Sequence, residues 1–165
     1  MDVCDGYHLR IDLDDVVRAR QETRTTKRES GAVTQHTFVI IKPDAVEEGL
    51  VGTILARYEG AGLRIEAMEM RTIDGAFADR HYAAHLERDF YPPLREFMIK
   101  GPLVALRLSG DDAIATVREI NGATDPSKAA PGTIRADFAS SVRCNCVHAS
   151  DSEESAAAEL ALWFG

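Results

Sequence analysis

The sequence predicts an α/β (α+β) fold in which helices cover one mainly antiparallel sheet of four strands. Apolar segments with the two-residue period of strands alternate with segments that have the period of amphipathic helices. Proline or glycine stands at the ends of most of these segments, where turns are expected. The order of elements is strand, helix, strand, helices, strand, helix, strand, helix. A ferredoxin-like βαββαβ sandwich with an inserted long loop is the simplest topology with that order.

The first half of the folded region contains two strands and three helical segments. Residues 37–41 are an apolar run closed by Lys42-Pro43, which predicts a buried strand because proline cannot continue a β-ladder. Apolar residues at helical spacing over 50–58 predict a helix that ends at Gly60 and Gly62. Alternation over residues 63–70 predicts the second strand. Two helical segments follow, over residues 76–88 and from Pro92-Pro93 onward.

The second half contains the remaining strands and a long loop. Residues 102–109 predict the third strand, and Asp111-Asp112 are expected to cap a helix that ends at Asn121-Gly122. The stretch from 123 to 143 is irregular, and a loop longer than about 15 residues in a compact domain is usually functional or disordered. The last elements are a short strand near residues 145–148 and a helix that starts within residues 150–154, where several capping frames overlap.

Length and charge limit the classes of protein to consider. The chain has 165 residues, with 45% apolar and 28% charged side chains, which is typical of one globular domain. Its net charge of −8 argues against dedicated nucleic-acid binding, because a phosphate backbone needs a basic face. No apolar run approaches the roughly 18 residues of a membrane helix, and the first residues lack the apolar segment of a secretory signal. We therefore expect a cytoplasmic protein.

The chain divides into an N-terminal extension, residues 1–35, and a folded domain, residues 36–165. From Glu22 to Gln35 the extension is polar and has little apolar periodicity, which favours a flexible segment. The preceding segment YHLRIDLDDVVRAR leaves a second interpretation open. It could form a short strand and a helical turn that pack on the domain or on a partner subunit.

His148 is the strongest candidate for chemistry. It lies at the predicted end of a short strand, just before a helix start, where the helix dipole and free N–H groups favour an anion. A neutral imidazole accepts a phosphoryl group well if a carboxylate or hydroxyl holds its other nitrogen. Glu159, inside the following helix, and Ser150, at its start, could each orient the ring. A capping or core histidine is the competing interpretation.

The other polar candidates are ambiguous when taken one at a time. Lys42 follows the first strand, where a lysine can bind phosphate but more often is a solvated surface residue. Arg118 and Arg135 could be surface charges. Tyr82 and Phe90 fit a half-buried helix tyrosine and a core phenylalanine.

These residues are part of a longer pattern. From Thr37 to Phe164 the chain contains, in order, TFVIIKPDAVEEGLVG, HYAAHLERDFYPPL, GPLVAL, GATDPSKAAPGTIRADF and NCVHASDSEESA. In these motifs the chain resembles the nucleoside diphosphate kinases. The resemblance implies an enzyme that transfers the γ-phosphate of a nucleoside triphosphate (ATP) to a nucleoside diphosphate by a ping-pong mechanism through a phosphohistidine, and so maintains the NTP and dNTP pools. Residues 36–165 would be the kinase domain.

The resemblance assigns a role to each candidate. His148 matches the nucleophile, Glu159 the residue that orients its ring, and Ser150 the hydroxyl partner of that pair. The positions that match contacts to the phosphates are Lys42, Tyr82, Arg118, Thr124 and Arg135. Mg²⁺ is the implied cofactor, and because it keeps several waters it needs few protein ligands. Asp151 is the carboxylate best placed to reach it through water.

The remaining matches concern the sugar and the base. Asn145, together with Lys42, matches the contact to the sugar hydroxyl, and Phe90 and Val142 match the residues on either side of the base. Stacking on a ring and an aliphatic side chain accepts any base, so broad nucleotide specificity is implied. The resemblance also implies a homo-oligomer, with a hexamer favoured and a tetramer as the other assembly.

Alternative functions for the same fold stay open at this point. One is a nucleotide-binding regulatory module, which would be expected to have lost His148 or a phosphate contact. The other is a protein-histidine phosphorelay component, in which the phosphoryl group on His148 passes to another protein. A ferredoxin-like regulatory domain without chemistry leaves the combination of Lys42, Arg118, Arg135 and His148 unexplained.

Overall fold

The computed structural model describes residues 34–165, so the predicted flexible extension, residues 1–35, lies outside the described residues except for its last two positions. Within the described region one sheet of four strands has the order β2-β3-β1-β4, and all neighbouring strands are antiparallel. The strands are β1 (Gln35–Ile41), β2 (Arg64–Arg71), β3 (Leu103–Gly110) and β4 (Val147–Ala149). This is the strand order of a ferredoxin-like sandwich, which confirms the predicted fold class.

Seven α-helices and two short 3₁₀ turns connect and cover the strands in the part of the chain that the structure describes. The helices are α1 (Pro43–Glu47), α2 (Val51–Gly60), α3 (Gly75–His81), α4 (Tyr91–Met98), α5 (Ala113–Asn121), α6 (Ile134–Phe138) and α7 (Glu153–Phe164). The 3₁₀ turns are Ala83–His85 and Pro126–Lys128. Within residues 34–165, no helix combines the length and the apolarity needed to cross a bilayer.

Helices cover both faces of the sheet, and this explains the unbroken apolar run of β1. Phe38 and Ile40 lie on the face that packs with α3, α4 and α7, whereas Val39 and Ile41 pack with α2 and α5 on the other face. All four side chains are fully buried. Each contributes about 1.5–3 kcal/mol through removal of apolar surface from water, so β1 is the centre of the fold.

The structure differs from the sequence-based prediction at several helix ends. The segment 76–88 is a shorter helix, because the chain tightens after Tyr82 into a turn in which His85 N–H donates to the Tyr82 carbonyl (2.7 Å). Asp112 stands at the N-cap position of α5 but makes no side-chain cap hydrogen bond. The Gln35 side chain instead accepts from the Ile114 N–H (2.9 Å), so a strand residue replaces the expected cap.

The register of β4 determines where the candidate site forms. Its three residues pair with the last part of β1, and His148 lies opposite Ile40. Ser152 then caps α7 in a capping box with Ser155, which fixes the direction in which that helix returns along the sheet. His148 therefore lies in the middle of β4, four residues before the cap, beside the end of β1 that leads to Lys42.

Candidate active site

An open cleft with a volume of about 790 Å³ lies beside the end of β1 and β4. The residues predicted to contact nucleotide all line it together with His148: Lys42, Tyr82, Phe90, Arg118, Thr124, Arg135, Val142, Asn145 and His148. Glu159 and Ser150 do not line the cleft; Glu159 contacts His148, and Ser150 contacts Glu159. Asp151 is not among the residues that line the cleft.

His148 is held by a carboxylate, as the sequence predicts. Its Nε2 lies 2.8 Å from Oε1 of Glu159, and the other carboxylate oxygen accepts a hydrogen bond from the Ser150 hydroxyl at 2.5 Å. Ser150 is buried, and its N–H donates to the Phe38 carbonyl of β1 (3.1 Å). Strand β4 and helix α7 thus fix the imidazole from two sides.

The hydrogen bond to Glu159 determines which ring nitrogen of His148 is free. Burial by itself raises the pKa of Glu159, but the hydrogen bond and charge of His148 and the hydrogen bond from Ser150 outweigh it and leave this pKa below its ordinary value. The carboxylate is therefore ionised and can only accept, so Nε2 of His148 carries the proton. In the neutral ring, Nδ1 then has the free lone pair.

Lys42 is a buried cation that also lines the cleft. It is only 4% exposed, and its Nζ donates to the Arg143 carbonyl (2.7 Å) and to Oδ1 of Asn145 (2.8 Å). Burial lowers the pKa of Lys42 to about 8, although Asp44 opposes the shift. Asn145 also donates to the Thr124 carbonyl (3.1 Å), so these side chains brace the long loop against β4.

Three arginines add positive charge to the cleft. Arg135 donates to the carbonyls of Gly122 (2.7 Å) and Val147 (2.8 Å), which joins the end of α5 to β4 and fixes the guanidinium at the cleft wall. Arg118, in the last turn of α5, and Arg143 are exposed. The overall charge is negative, so this concentration of cations marks a local site for an anionic ligand.

The outer part of the cleft is apolar and exposed. Phe90, immediately before α4, is 53% exposed, and Val142, in the loop before β4, is 58% exposed. Two further residues, Leu94 of α4 and Tyr82 just after α3, also line the cleft. Tyr82 is buried, and burial, followed by the Glu159 charge, raises its pKa far above the ordinary value, so the phenol keeps its proton.

Several residues that the fold brings to the site were not predicted from the sequence. His81 packs edge-on against the His148 ring, with 5.0 Å between centroids, and its Nδ1 accepts from Trp163 Nε1 (3.2 Å). Burial and the neighbouring His148 lower the pKa of His81 to about 3, so the ring is neutral. Its partner lies 82 positions away, so no local pattern could have indicated it. Arg143, Asn121 and Leu94 also line the cleft without having been predicted.

Within residues 34–165, one cluster of side chains could hold a metal ion, and the Asp151 carboxylate is a separate single ligand. Donor atoms of His81, His148 and Glu159 lie within 4.8 Å of one another, but imidazole nitrogens do not suit Mg²⁺, which prefers oxygen. Asp151 is exposed before α7 and accepts from the Ser155 hydroxyl (2.9 Å). That hydrogen bond lowers the pKa of Asp151, so the carboxylate is ionised and its chemistry suits a hydrated Mg²⁺.

A ferredoxin-like sheet with a cationic cleft and a carboxylate-held histidine is the arrangement of a phosphotransferase. The family model for nucleoside diphosphate kinase matches residues 35–165. The chain therefore belongs to the nucleoside diphosphate kinase family. It is an enzyme that transfers the terminal phosphoryl group of a nucleoside triphosphate to a nucleoside diphosphate.

Individual relatives agree with this assignment. A nucleoside diphosphate kinase from a Nocardioides species is 63% identical over 128 residues, which are 78% of this chain and 95% of the relative. One from Rhodococcus erythropolis is 55% identical over 133 residues, or 80% and 96% of the two chains. The crystal structure of the Aquifex aeolicus enzyme is 44% identical, with a TM-score of 0.78 over 81% of this chain and 96% of that one. None of these similarities supports the alternative of a regulatory or phosphorelay module.

Proposed function

We propose that His148 is the nucleophile and carries the phosphoryl group on Nδ1 between two half-reactions. The observation that carries the proposal is the hydrogen bond between its Nε2 and the ionised Glu159. In the neutral imidazole this bond fixes the proton on Nε2 and leaves the Nδ1 lone pair free to attack, without a separate base. Ser150 holds the same carboxylate and keeps it in position.

The two half-reactions balance without added acid or base. The Nδ1 lone pair attacks the γ-phosphorus, the bond to the β–γ bridging oxygen breaks, and the nucleoside diphosphate leaves with that electron pair. The ring then carries N–P and N–H bonds and a positive charge, which the Glu159 carboxylate stabilises. A terminal phosphate oxygen of the second nucleoside diphosphate attacks the same phosphorus, and Nδ1 recovers its lone pair.

The cations of the cleft would bind the phosphates. Lys42, Arg118 and Arg135 would stabilise negative charge that spreads over the transferring group, and Tyr82 and Thr124 would contribute hydrogen bonds. We call Lys42, Arg118, Arg135 and His148 the phosphate end of the cleft. The hydrogen bonds that fix Lys42, Arg135 and His148 favour the transition state, because these groups need no reorganisation when charge develops.

The exposed part of the cleft would bind sugar and base. Lys42 and Asn145, already joined by a hydrogen bond, are placed to meet a sugar hydroxyl. Phe90 and Val142, which we call the base end, would contact the two faces of the base. Neither side chain has a hydrogen-bonding group, so every base is accepted with similar affinity.

Phosphotransfer in this family generally depends on a divalent metal ion, and we infer that the ion here is Mg²⁺. When bound, it neutralises charge on the outer phosphates. Asp151 would hold it through a water molecule, since an ionised carboxylate near the phosphate end is the oxygen ligand that hydrated Mg²⁺ accepts. Most of its remaining ligands would be phosphate oxygens and water.

We also infer a homo-oligomer, with a hexamer favoured over a tetramer. Strand β2 is at one edge of the sheet, and its Met68 and Met70 are 57% and 58% exposed. Two exposed methionines on an edge strand support burial of this edge against a second copy. The cytoplasmic location and the role of residues 1–35 as an extension of the kinase domain stay predictions.

The proposal is tested by isolating the first half-reaction. Purified protein is incubated with Mg²⁺ and γ-labelled ATP without acceptor, beside His148→Ala and a control, His36→Ala, which changes a half-exposed histidine paired with Glu66. We expect acid-labile, alkali-stable label on wild type and control that GDP discharges as GTP. Label on His148→Ala, or none on folded wild type, would contradict the proposal.

A further inference from the structure

One side of the cleft is lined by Tyr82, Phe90 and Leu94, which lie at the end of α3, at the start of α4 and within α4. The relative position of the two helices therefore sets the place of Phe90. Tyr82 follows the last residue of α3, and Phe90 precedes the first residue of α4. Because Phe90 is 53% exposed, few neighbours restrain its ring directly. Its position therefore depends on how the start of α4 is held against α3.

A hydrogen-bonded group of side chains holds the two helices together. We name Asp79, Tyr91 and Arg95 the Asp79 cluster. Oδ1 of Asp79 accepts from the Tyr91 hydroxyl (2.5 Å) and from Nε of Arg95 (2.7 Å), and Oδ2 accepts from Nη2 of Arg95 (3.4 Å). Tyr91 and Arg95 are one turn apart on α4, so a single carboxylate on α3 holds the whole first turn of α4.

Gly75, the first residue of α3, makes room for this arrangement. A methyl group at that position would overlap the guanidinium of Arg95. The backbone of Gly75 is not in the left-handed region, so its conformation does not require glycine. Glycine at this position lets Arg95 approach closely, and this contact ties the packing of α4 to the first turn of α3.

The Asp79 cluster is connected to the cleft through Tyr91. This side chain is only 4% exposed, its ring lies 5.9 Å from the Tyr82 ring, and it is adjacent to Phe90 in the chain. Hydrogen bonds from Arg95 and Tyr91 hold the pKa of Asp79 below its ordinary value. The carboxylate therefore accepts both bonds throughout the neutral range.

We propose that the Asp79 cluster positions Phe90 for the nucleotide base, so that these residues determine nucleotide affinity and leave phosphoryl transfer unchanged. This inference rests on the proposed role of Phe90 at the base end. None of the three side chains lines the cleft, so they are positioning residues that act through α4. Loss of the cluster would let the start of α4 move, and the base would lose part of its stacking surface.

The test uses variants that break the cluster in independent ways. Gly75→Ala displaces Arg95 without changing any of the three side chains, Asp79→Ala removes the acceptor, and Arg95→Met removes a donor. The matched control is Gly52→Ala in α2, where an added methyl group meets no atom within 4 Å. Calorimetry gives the Kd for ADP, steady-state kinetics give KM and kcat, and competition gives the inhibition constant of inorganic tripolyphosphate, which has no base.

We expect each cluster variant to raise the Kd and KM for nucleotide about threefold to fivefold, since a partly exposed ion pair contributes up to about 1 kcal/mol. The tripolyphosphate constant and kcat should match those of Gly52→Ala, and Gly75→Ala combined with Asp79→Ala should add nothing further. Unchanged Kd values despite lower unfolding temperatures would reduce the cluster to a structural role and overturn the proposal. A parallel fall in kcat would overturn it as well.

The outcome is separable from that of the proposed function. Labelling of wild type and of Asp79→Ala by γ-labelled ATP reports on His148 alone. If both proteins label while the Kd for ADP is unchanged in the variant, the nucleophile assignment stands and the role of the cluster is wrong. If wild type fails to label, the proposed function is wrong whatever the variants show.

Discussion

At the phosphate end of the cleft, hydrogen bonds fix Lys42, Arg135 and His148, whereas the two side chains of the base end stand exposed, one before a helix and one in a loop. Lys42 is 4% exposed and His148 is bonded to Glu159, while Phe90 and Val142 are more than half exposed. A reaction that develops charge needs fixed dipoles and cations. A subsite that must accept every base needs only apolar surface. The phosphate end is hydrogen-bonded and the base end is exposed because stabilising charge and stacking on any base have different requirements.

The largest effect is expected at the phosphate end, from a substitution that removes the negative charge beside His148. In Glu159→Gln the amide can still accept from Nε2 of His148, but it does not stabilise the positive ring. We expect kcat to fall about 100-fold, or ~3 kcal/mol, with KM changed less than about threefold. Steady-state kinetics check this beside Glu154→Gln, an exposed glutamate of the same helix. Equal kcat values for the two variants would remove Glu159 from the mechanism.

The burial of Lys42 at the phosphate end should also lower the free energy of unfolding. Burial lowers the pKa of Lys42 from 10.5 to about 8. The unfolded chain thus binds this proton more tightly, so stability is reduced below pH 8 and recovers as pH rises from about 8 to about 10.5. We expect Lys42→Met to raise the free energy of unfolding at pH 7 by on the order of 2 kcal/mol, after allowance for its lost hydrogen bonds. Urea titrations at pH 7 and pH 10 check this, and a gain that does not shrink at pH 10 would contradict it.

The same substitution should lower activity. Without the Lys42 charge we expect kcat/KM at pH 7 to fall about tenfold, as for the loss of one charge-assisted contact. In wild type kcat/KM should decline as the pH rises through about 8, where Lys42 of the free enzyme loses its proton. The decline should be absent from Lys42→Met and present in Lys100→Met, which changes an exposed lysine paired with Glu47. A decline that survives in Lys42→Met belongs to another group.

The smallest effect is expected at the base end. Phe90→Ala should raise KM about fivefold for adenine, guanine and pyrimidine nucleotides alike, because it removes roughly 1 kcal/mol of stacking and no hydrogen bond. Its kcat and its unfolding free energy should stay near those of wild type. Leu86→Ala is the control, since Leu86 is 43% exposed and does not line the cleft. A KM increase confined to one base would mean that the base end is selective.

Patterns local in the sequence predicted the fold well. The apolar run of β1 and the alternation of β2 appear in the structure within about two residues, because burial on the sheet sets those patterns. The five-residue helix α6 was missed inside the long loop. It depends on the Thr133 cap and on Arg135, whose guanidinium bonds two distant carbonyls, and such tertiary support has no sequence period.

Only part of the candidate site could be predicted from the sequence. Three of its residues, His148, Ser150 and Glu159, lie within twelve positions of one another. Strand and helix geometry alone therefore predicts that they are close in space. The neutral state of His81 and the Asp79 cluster could not be anticipated. Each depends on contacts between separate elements, such as Trp163 with His81 and Arg95 with Gly75, that exist only once the chain has folded.

The most direct test of the central claim is the identity of the phosphorylated nitrogen. Protein labelled with ¹⁵N-histidine is phosphorylated by ATP and examined by ³¹P and ¹⁵N NMR under alkaline conditions. If Glu159 holds Nε2 of His148 as donor, phosphorus couples to Nδ1 of one histidine, and that signal is lost in His148→Ala. Phosphorus on Nε2, or on another side chain, would contradict the account.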